Sequence, residues 1–483
     1  MEKITALEKA GMQLEPGMSE RTTLAEKVNT YINQFVEELP QKPGYTKKNI
    51  GRLRALKLRE EGGQLDELLD ILGEEMDNDG INSASGRHMG YIPGGGLWTS
   101  ALADMLAAAT NRYAGIAFSS PAAVEIENQM IRWLCEVAGY PATAHGNLTS
   151  GGSIANLVAI QTVRDHYHIH SGNVKKAVIY YSEQAHHCIY KALHMTGLHE
   201  AVIRTIGLND RFQLDVHALQ LQMEADVEAG LQPLLVVGTA GTTHTGAVDP
   251  LEEIAALCKQ YHAWFHVDAA YGGFFLLVND MKDKLKGIAL SDSVVMDPHK
   301  TLFTPYGSGV VLIKNRKALL ATYSHTAAYM QDASGLEDID PADAGPELSR
   351  HFRGLRMWLP LHLHGIAPFR ANLEEKILLC RHFHEQIGAM GFETGPAPDL
   401  SVAIFRCPDD PGNQQTEQLI QALHEDGRVF FSTTLINRKL WIRCAVVSFR
   451  THLREIKLAL SMVKEAMEAI QLGVKKYSET FSG

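Results

Sequence analysis

At 483 residues the chain is too long for one hydrophobic core, so two or more lobes are expected. Hydrophobic residues at 45% and charged residues at 21% are ordinary for a soluble globular protein, and a formal net charge of -11 argues against a nucleic-acid-binding surface. Six scattered cysteines without a Cys-x-x-Cys pair, a polar amino terminus and no membrane-length apolar run predict a reduced, cytoplasmic protein with no membrane partner.

Residues 1–90 are rich in Glu, Lys, Leu and Gln, with helical spacing over 24–39 and 65–76. Pro40, Pro43 and Gly44 interrupt that pattern, and nothing there resembles a self-sufficient core. The segment is predicted to be a helical arm packing on something larger, such as a second subunit. From 91 to 365 apolar strands alternate with helices. Strands are predicted at 177–181, 234–238, 264–267, 293–296 and 309–313, and helices at 153–164, 215–229 and 250–261. Such alternation predicts an α/β fold with a mainly parallel sheet and helices on both faces. From 366 to 483 the pattern changes to a long helix (368–390), short strands at 401–405, 429–432 and 439–447, and a final helix over 453–472. This reads as a smaller α+β lobe.

The chemistry gathers where strands end. Ser-Asp-Ser-Val-Val-Met-Asp-Pro-His-Lys (291–300) is a strand closing in a polar turn that carries Lys300. Trp264-Phe265-His266-Val267 is another, and it ends in Asp268-Ala269-Ala270. An amine and a carboxylate at strand ends are what pyridoxal phosphate needs: the lysine forms a Schiff base with the aldehyde, and the aspartate holds the pyridine nitrogen protonated. Ligands of open parallel sheets bind at that edge. Leu148-Thr149-Ser150-Gly151-Gly152-Ser153 precedes a helix whose free N–H groups suit a phosphate, with Ser153 a natural N-cap whose hydroxyl could instead donate to the ligand. His186 follows a further strand and could stack on the ring, and Gly238-Thr239-Ala240-Gly241-Thr242-Thr243 could touch cofactor or substrate. Singly, each has a plain structural explanation as a turn, a loop histidine, a cap or a surface lysine. Their joint occurrence, in order and each after a strand, is much harder to explain that way.

With these segments in hand, the chain resembles the pyridoxal-phosphate-dependent group II amino-acid decarboxylases, relatives of the aromatic-amino-acid, glutamate and diaminobutyrate enzymes. The matching segments are His88-Met89-Gly90-Tyr91-Ile92-Pro93, Ser119-Ser120-Pro121-Ala122 with Glu125 and Glu127, the Ser153 turn, Ser182-Glu183-Gln184-Ala185-His186, His266-Val267-Asp268-Ala269-Ala270, Asp297-Pro298-His299-Lys300, and Phe352-Arg353-Gly354-Leu355-Arg356-Met357-Trp358. The resemblance implies an aspartate-aminotransferase-like (type I) fold and a homodimer with shared active sites. By position it implies Lys300 as the Schiff-base lysine, Asp268 as the partner of the pyridine nitrogen and His186 as the stacking histidine. Gly152, Ser153 and His299 would lie near the phosphate, Thr242 and Ala270 beside the ring, and Asp297 where some relatives carry Asn. Tyr91, Pro93 and Gly94, with Trp98 as a neighbour, would line the substrate side. The implied reaction is loss of carbon dioxide from an L-amino acid, with an aromatic substrate favoured and acidic or diamino acids open.

One departure stands out. Relatives protonate the product with a tyrosine on a loop before the Phe-Arg-x-Leu segment, and residues 332–346 here contain none. Asp343-Ala344 falls where Asp-Tyr would be expected, and Tyr329 matches an earlier family position. The chain is then a variant without its proton donor, or His186 or Tyr329 replaces it, or the product is an aldehyde formed with oxygen. On this alignment Ala344→Tyr should raise amine yield. Transamination, carbon–carbon lysis and a silent scaffold stay open. A metal protein built on His166, His168 and His170 or on His362 and His364 is disfavoured, because residues two apart on a helix do not share a face. Arg353, Arg356 and Arg443 could receive an acidic substrate, but bracing the fold is expected of at least two of them.

Overall fold

Seven strands form the main sheet of this computed structural model, which describes residues 1–47, 50–324 and 339–472. They are β1 (His145–Thr149), β2 (Ala177–Ser182), β3 (Val202–Ile206), β4 (Gln232–Thr239), β5 (Trp264–Asp268), β6 (Ser293–Met296) and β7 (Gly309–Ile313). Their spatial order is β1-β7-β6-β5-β4-β2-β3. All run parallel except β7, which is antiparallel to both of its neighbours. Four helices alternate with the first five strands: α1 (Gly152–His166), α2 (His187–Met195), α3 (Val216–Glu228) and α4 (Leu251–Tyr261).

Strand periodicity divides the sheet's side chains between two cores. Val236, Phe265, Val267, Val294 and Met296 enter one apolar cluster. Their alternates Leu235, Val237, Trp264, Val295 and Val311 enter the other. A sheet covered on both faces therefore reads in sequence as continuous apolar runs, which is why five of its strands were visible. β1 and β3 were not. His-Gly-Asn-Leu-Thr has no apolar run, and Val-Ile-Arg-Thr-Ile is an edge strand that is only partly covered.

Beyond helix Ala367–Ala389 a second sheet comprises β8 (Glu393–Thr394), β9 (Val402–Arg406), β10 (Ser432–Ile436) and β11 (Lys439–Ala445), all antiparallel, in the order β8-β9-β11-β10. Helices Gln414–Asp426 and Leu453–Gln471 complete its core, where Phe383, Phe405, Phe431, Leu423 and Met462 meet. Pairing in β10 starts at Ser432 rather than at Val429, because Phe430 is taken by a parallel bridge to His88. The chain around 85–97 thus stitches the two sheets together: Met89 N–H donates to Phe430 O at 2.9 Å, Ala445 N–H to Met89 O at 2.7 Å, and Leu97 N–H to Phe303 O at 2.7 Å.

At the amino terminus helices Glu2–Gly11 and Met18–Glu38 bury none of their residues. The second stretch of helical spacing forms Leu65–Ile71 and continues as a π turn, Leu72–Met76. Among the described residues no helix is long and apolar enough to cross a membrane.

Candidate active site

Register brings the chemistry to one edge. Thr239 pairs with Asp268 and Asp268 with Val295, so β4, β5 and β6 end side by side. The end of β1 joins them, Thr149 pairing with Gly309 at the start of the reversed strand β7. A cleft of about 350 Å³ opens there. Its walls take Gly151, Gly152 and Ser153 from the start of α1, Gln184, His186 and Cys188 from beyond β2, Asp268 from the end of β5 and Ala270 from just beyond it, and Asp297, His299 and Lys300 from beyond β6.

Gly151 caps α1 with φ near 155°, a conformation that favours glycine. A Cβ at Gly152 would stand 2.7 Å from Asp297 Oδ2, so the cradle closes only around a bare backbone. Ser153, expected as the N-cap, sits instead in the first turn with its side chain exposed. Helix starts carry N–H groups without intrahelical acceptors and a positive dipole end, and together they suit an anion.

Lys300 lies in the single-turn helix Pro298–Thr301, its Nζ 3.0 Å from Asp297 Oδ2. Burial pulls the amine's pKa down, but Asp297 and Asp268 pull harder the other way and the net shift is upward. Asp297 is buried, and its Oδ1 has no hydrogen-bond partner. Asp268 is held differently. Ala270 N–H donates to Oδ1 at 3.1 Å, and Asn156 Nδ2 approaches Oδ2 at 3.4 Å.

His186 is the N-cap of α2, its Nδ1 accepting from Cys188 N–H at 3.3 Å. That bond fixes the ring's orientation, and burial pushes its pKa down to about 4, so the imidazole is neutral. His299 turns Nδ1 toward Ser308 O, and its Nε2 lies 3.8 Å from Asp297 Oδ2. Burial lowers its pKa as well.

Other expected residues lie elsewhere. Thr242 is buried behind the wall and bonded to Thr245 Oγ1 at 2.8 Å, while Thr239, Gly241 and Thr243 line the cleft. Its hydroxyl is turned inward because the turn uses it to hold its own geometry, also accepting from Thr245 N–H at 3.2 Å. None of Tyr91, Pro93, Gly94 and Trp98 is on the cleft wall. Pro93 and Gly94 are buried, and Gly94 is pressed so closely on the backbone of His299 and Lys300 that a Cβ would collide. Tyr91 and Trp98 are exposed. All three arginines brace the fold. Arg353 pairs with Glu347 at 2.8 Å, Arg356 with Asp104 at 2.8 Å, and Arg443 donates to Ser432 Oγ at 2.6 Å and His244 O at 3.0 Å.

Ala344 corrects the loop alignment. It is fully buried in the turn Pro341–Ala344 and belongs to the apolar cluster behind the sheet. The turn is anchored by Asp340, which accepts from Ala117 N–H at 2.6 Å. A tyrosine at 344 would meet packed core rather than the cleft. Tyr329 and residues 332–338 lie outside the described residues. Among the described residues no three His, Cys, Asp or Glu side chains converge as metal ligands.

Asn156, Gln184 and Cys188 were given no role from sequence, yet all three line the cleft. Asn156 carried a signal: an amide within Ile154-Ala155-Asn156-Leu157-Val158, on a helix's apolar stretch, has to find polar partners inside the protein.

The same architecture occurs in the Oryza sativa TDC solved with PLP and tryptamine, with a TM-score of 0.87 at 23% identity over 94% of this chain and 99% of that one. The fold is the type I fold of pyridoxal-phosphate enzymes. A family model described as the pyridoxal-dependent decarboxylase conserved domain matches residues 53–404. The aromatic-L-amino-acid decarboxylase of Bacillus atrophaeus is 31% identical over 422 residues, 86% of this chain and 88% of that protein. The 4-hydroxyphenylacetaldehyde synthase of Rhodiola rosea is 25% identical over 472 residues, 94% and 96% of the two chains. The chain therefore belongs to the pyridoxal-dependent decarboxylase family, and it is a carboxy-lyase of amino acids that uses pyridoxal phosphate. The cleft suits that cofactor, with a helix start for an anion, an amine for an aldehyde, a carboxylate for a ring nitrogen, and an unsatisfied oxygen on Asp297.

Proposed function

We propose that the protein removes the α-carboxylate of an aromatic L-amino acid, releasing carbon dioxide and the corresponding amine. The observation that carries the substrate class is the state of the arginines. Arg353, Arg356 and Arg443 are each held by protein groups, and none lines the cleft to meet a second substrate carboxylate. The names of the similar proteins from Bacillus atrophaeus and Papaver somniferum, an aromatic-L-amino-acid and a tyrosine decarboxylase, support the same class.

Pyridoxal phosphate, when bound, supplies an aldehyde and an electron-withdrawing ring that accepts the electron pair left by departing carbon dioxide. The chain's part is to hold and orient. In our reading Lys300 Nζ, which lines the cleft, would be the amine that holds the cofactor's aldehyde. Asp268 would keep a proton on the ring nitrogen, and Gly152 and Ser153, with His299 near them, would hold the phosphate at the start of α1. The neutral ring of His186, held by Cys188 N–H on the cleft wall, would be the one to stack on the cofactor. Asp297 favours the charged form of the free lysine amine, and Ala270 on the cleft wall would pack beside the ring. Gly94 backs the lysine's turn, and with it Tyr91, Pro93 and Trp98 would belong to the substrate side in this reading.

A second product is consistent with the similar 4-hydroxyphenylacetaldehyde synthase and with the lack of a tyrosine in residues 332–346 of the sequence. An aldehyde would then accompany or replace the amine. Incubating the holoenzyme with the common L-amino acids, dihydroxyphenylalanine and diaminobutyrate, while measuring carbon dioxide, amine and aldehyde, decides both points. Preference for glutamate or diaminobutyrate overturns the substrate class.

We further propose a cytoplasmic homodimer with shared active sites. Six buried, unpaired cysteines suit a reducing compartment, and amino-terminal helices Glu2–Gly11 and Met18–Glu38, which bury none of their residues on their own chain, suit a partner copy. The arm would comprise 1–90, the cofactor-binding domain 91–365 and the small domain 366–483.

A further inference from the structure

Behind Asp268 a row of buried side chains leads away from the cleft into the sheet. Trp264 Nε1 donates to Ser293 Oγ at 2.8 Å, and Ser293 Oγ lies 2.8 Å from His266 Nδ1. His266 Nε2 lies 2.7 Å from Asn156 Oδ1, and Asn156 Nδ2 lies 3.4 Å from Asp268 Oδ2. Asn156, His266 and Ser293 have no exposed surface.

The two ends set the direction of every bond. An indole only donates, so Ser293 oxygen accepts and its own proton is available to His266 Nδ1. A carboxylate without its proton only accepts, so Asn156 presents nitrogen to Asp268. The same nitrogen donates to Gly152 O at 2.9 Å, which fixes the amide's orientation independently. Asn156 Oδ1 must then accept from His266 Nε2. The imidazole is the neutral tautomer with its proton on Nε2, and burial lowers its pKa to about 4 accordingly. All four donors therefore point toward the carboxylate, an arrangement in which each bond polarises the next.

We propose that His266 and Asn156 are positioning residues for the decarboxylation: through this one-way chain they hold the Asp268 carboxylate in the orientation that keeps the cofactor's ring nitrogen protonated. The proposal rests on Asp268 being the ring-nitrogen partner. A purely structural role accounts poorly for the arrangement, since four polar groups inside a sheet core stabilise less than apolar groups of the same shape. The groups that feel the Asp268 charge are Lys300, His186, Cys188 and His266, with Asp297 acting on the first three.

The test compares Asn156→Leu, His266→Leu, His266→Gln and Ser293→Ala with the wild-type holoenzyme and with Asp268→Asn. It reads the cofactor's dissociation constant, the pH dependence of its visible absorption, and kcat and KM separately. Asn156→Leu and His266→Leu should weaken cofactor binding by about tenfold or more, as loss of an outer-shell hydrogen bond does in metal sites. They should move the ring-nitrogen transition to lower pH and lower kcat more than they change KM. His266→Gln retains a donor toward Asn156 and should recover much of the loss. Ser293→Ala deletes one oxygen and should shift the same readouts slightly, which keeps the test open if a larger substitution fails to fold. Variants that lose thermal stability while cofactor affinity and pH profile stay at wild type overturn the proposal. If Asp268→Asn itself leaves both readouts unmoved, the assignment of Asp268 falls first.

Discussion

Asp268 ends β5 and Asp297 follows β6, its parallel neighbour, and both open on the same cleft, yet the protein treats them differently. Asp268 is gripped from behind by a backbone N–H and by Asn156. Asp297 faces the lysine at 3.0 Å and keeps one oxygen without a partner. A carboxylate whose bonds come from the protein is fixed before any ligand arrives. One that pairs with a reactive amine and carries an unsatisfied oxygen is arranged to change partners. Residue type and strand position do not distinguish them; the groups on the neighbouring helix and turn do.

The sharpest way to break this contrast is to remove each charge in turn. Asp268→Asn should cut carbon dioxide release by at least about a hundredfold, the scale of losing a preorganised electrostatic partner. A loss below tenfold would put the two aspartates on an equal footing.

Acid provides the next lever, through the histidines beside and behind Asp268. Burial lowers the pKa of His186 and His266 to about 4, and that of His88 and His145 likewise. In the unfolded chain each takes up a proton near pH 6.5, so between about 6.5 and 4 the unfolded state binds more protons. Their stability contribution is complete above that window and disappears as pH falls through it. The Tm of the holoenzyme should drop between pH 7 and 4.5. His145→Asn, at the far end of β1 from the cleft, should remove one share of that slope, on the order of 1–3 kcal/mol. A Tm independent of pH over this range would contradict the buried neutral state of these rings.

Ala344→Tyr probes a region that only resembles the site in sequence. Forcing a ring into the packed turn should cost about 1–3 kcal/mol and lower Tm, with the ratio of amine to aldehyde unchanged. A changed product ratio at unaltered stability would return this turn to the cleft.

The smallest effect is expected from Asp297→Asn. It keeps the shape but removes the charge that raises the Lys300 pKa. Cofactor loading, followed by absorbance, should proceed at lower pH than in wild type, while turnover stays within about tenfold. A larger fall in turnover would give Asp297 the standing assigned here to Asp268.

What the chain determined by itself were the features written in local pattern. Apolar runs marked the strands covered on both faces, their ends carried Lys300, Asp268 and His186 in readable order, and the Gly151-Gly152 cradle was legible from its glycines before a helix. Edge and polar strands such as Val202–Ile206 and His145–Thr149 were illegible, because partial exposure or neighbouring backbone removes the need for an apolar run. Tertiary structure alone decided which side chains turn toward the cleft. Thr243 faces it and Thr242 does not, the three arginines are taken up by internal partners, and Ala344 is core. It also brought Asn156 to Asp268 across 112 positions of sequence. Hydrogen-bond direction and burial depend on atoms that meet only when helix and sheet pack, and no local pattern in the chain records them.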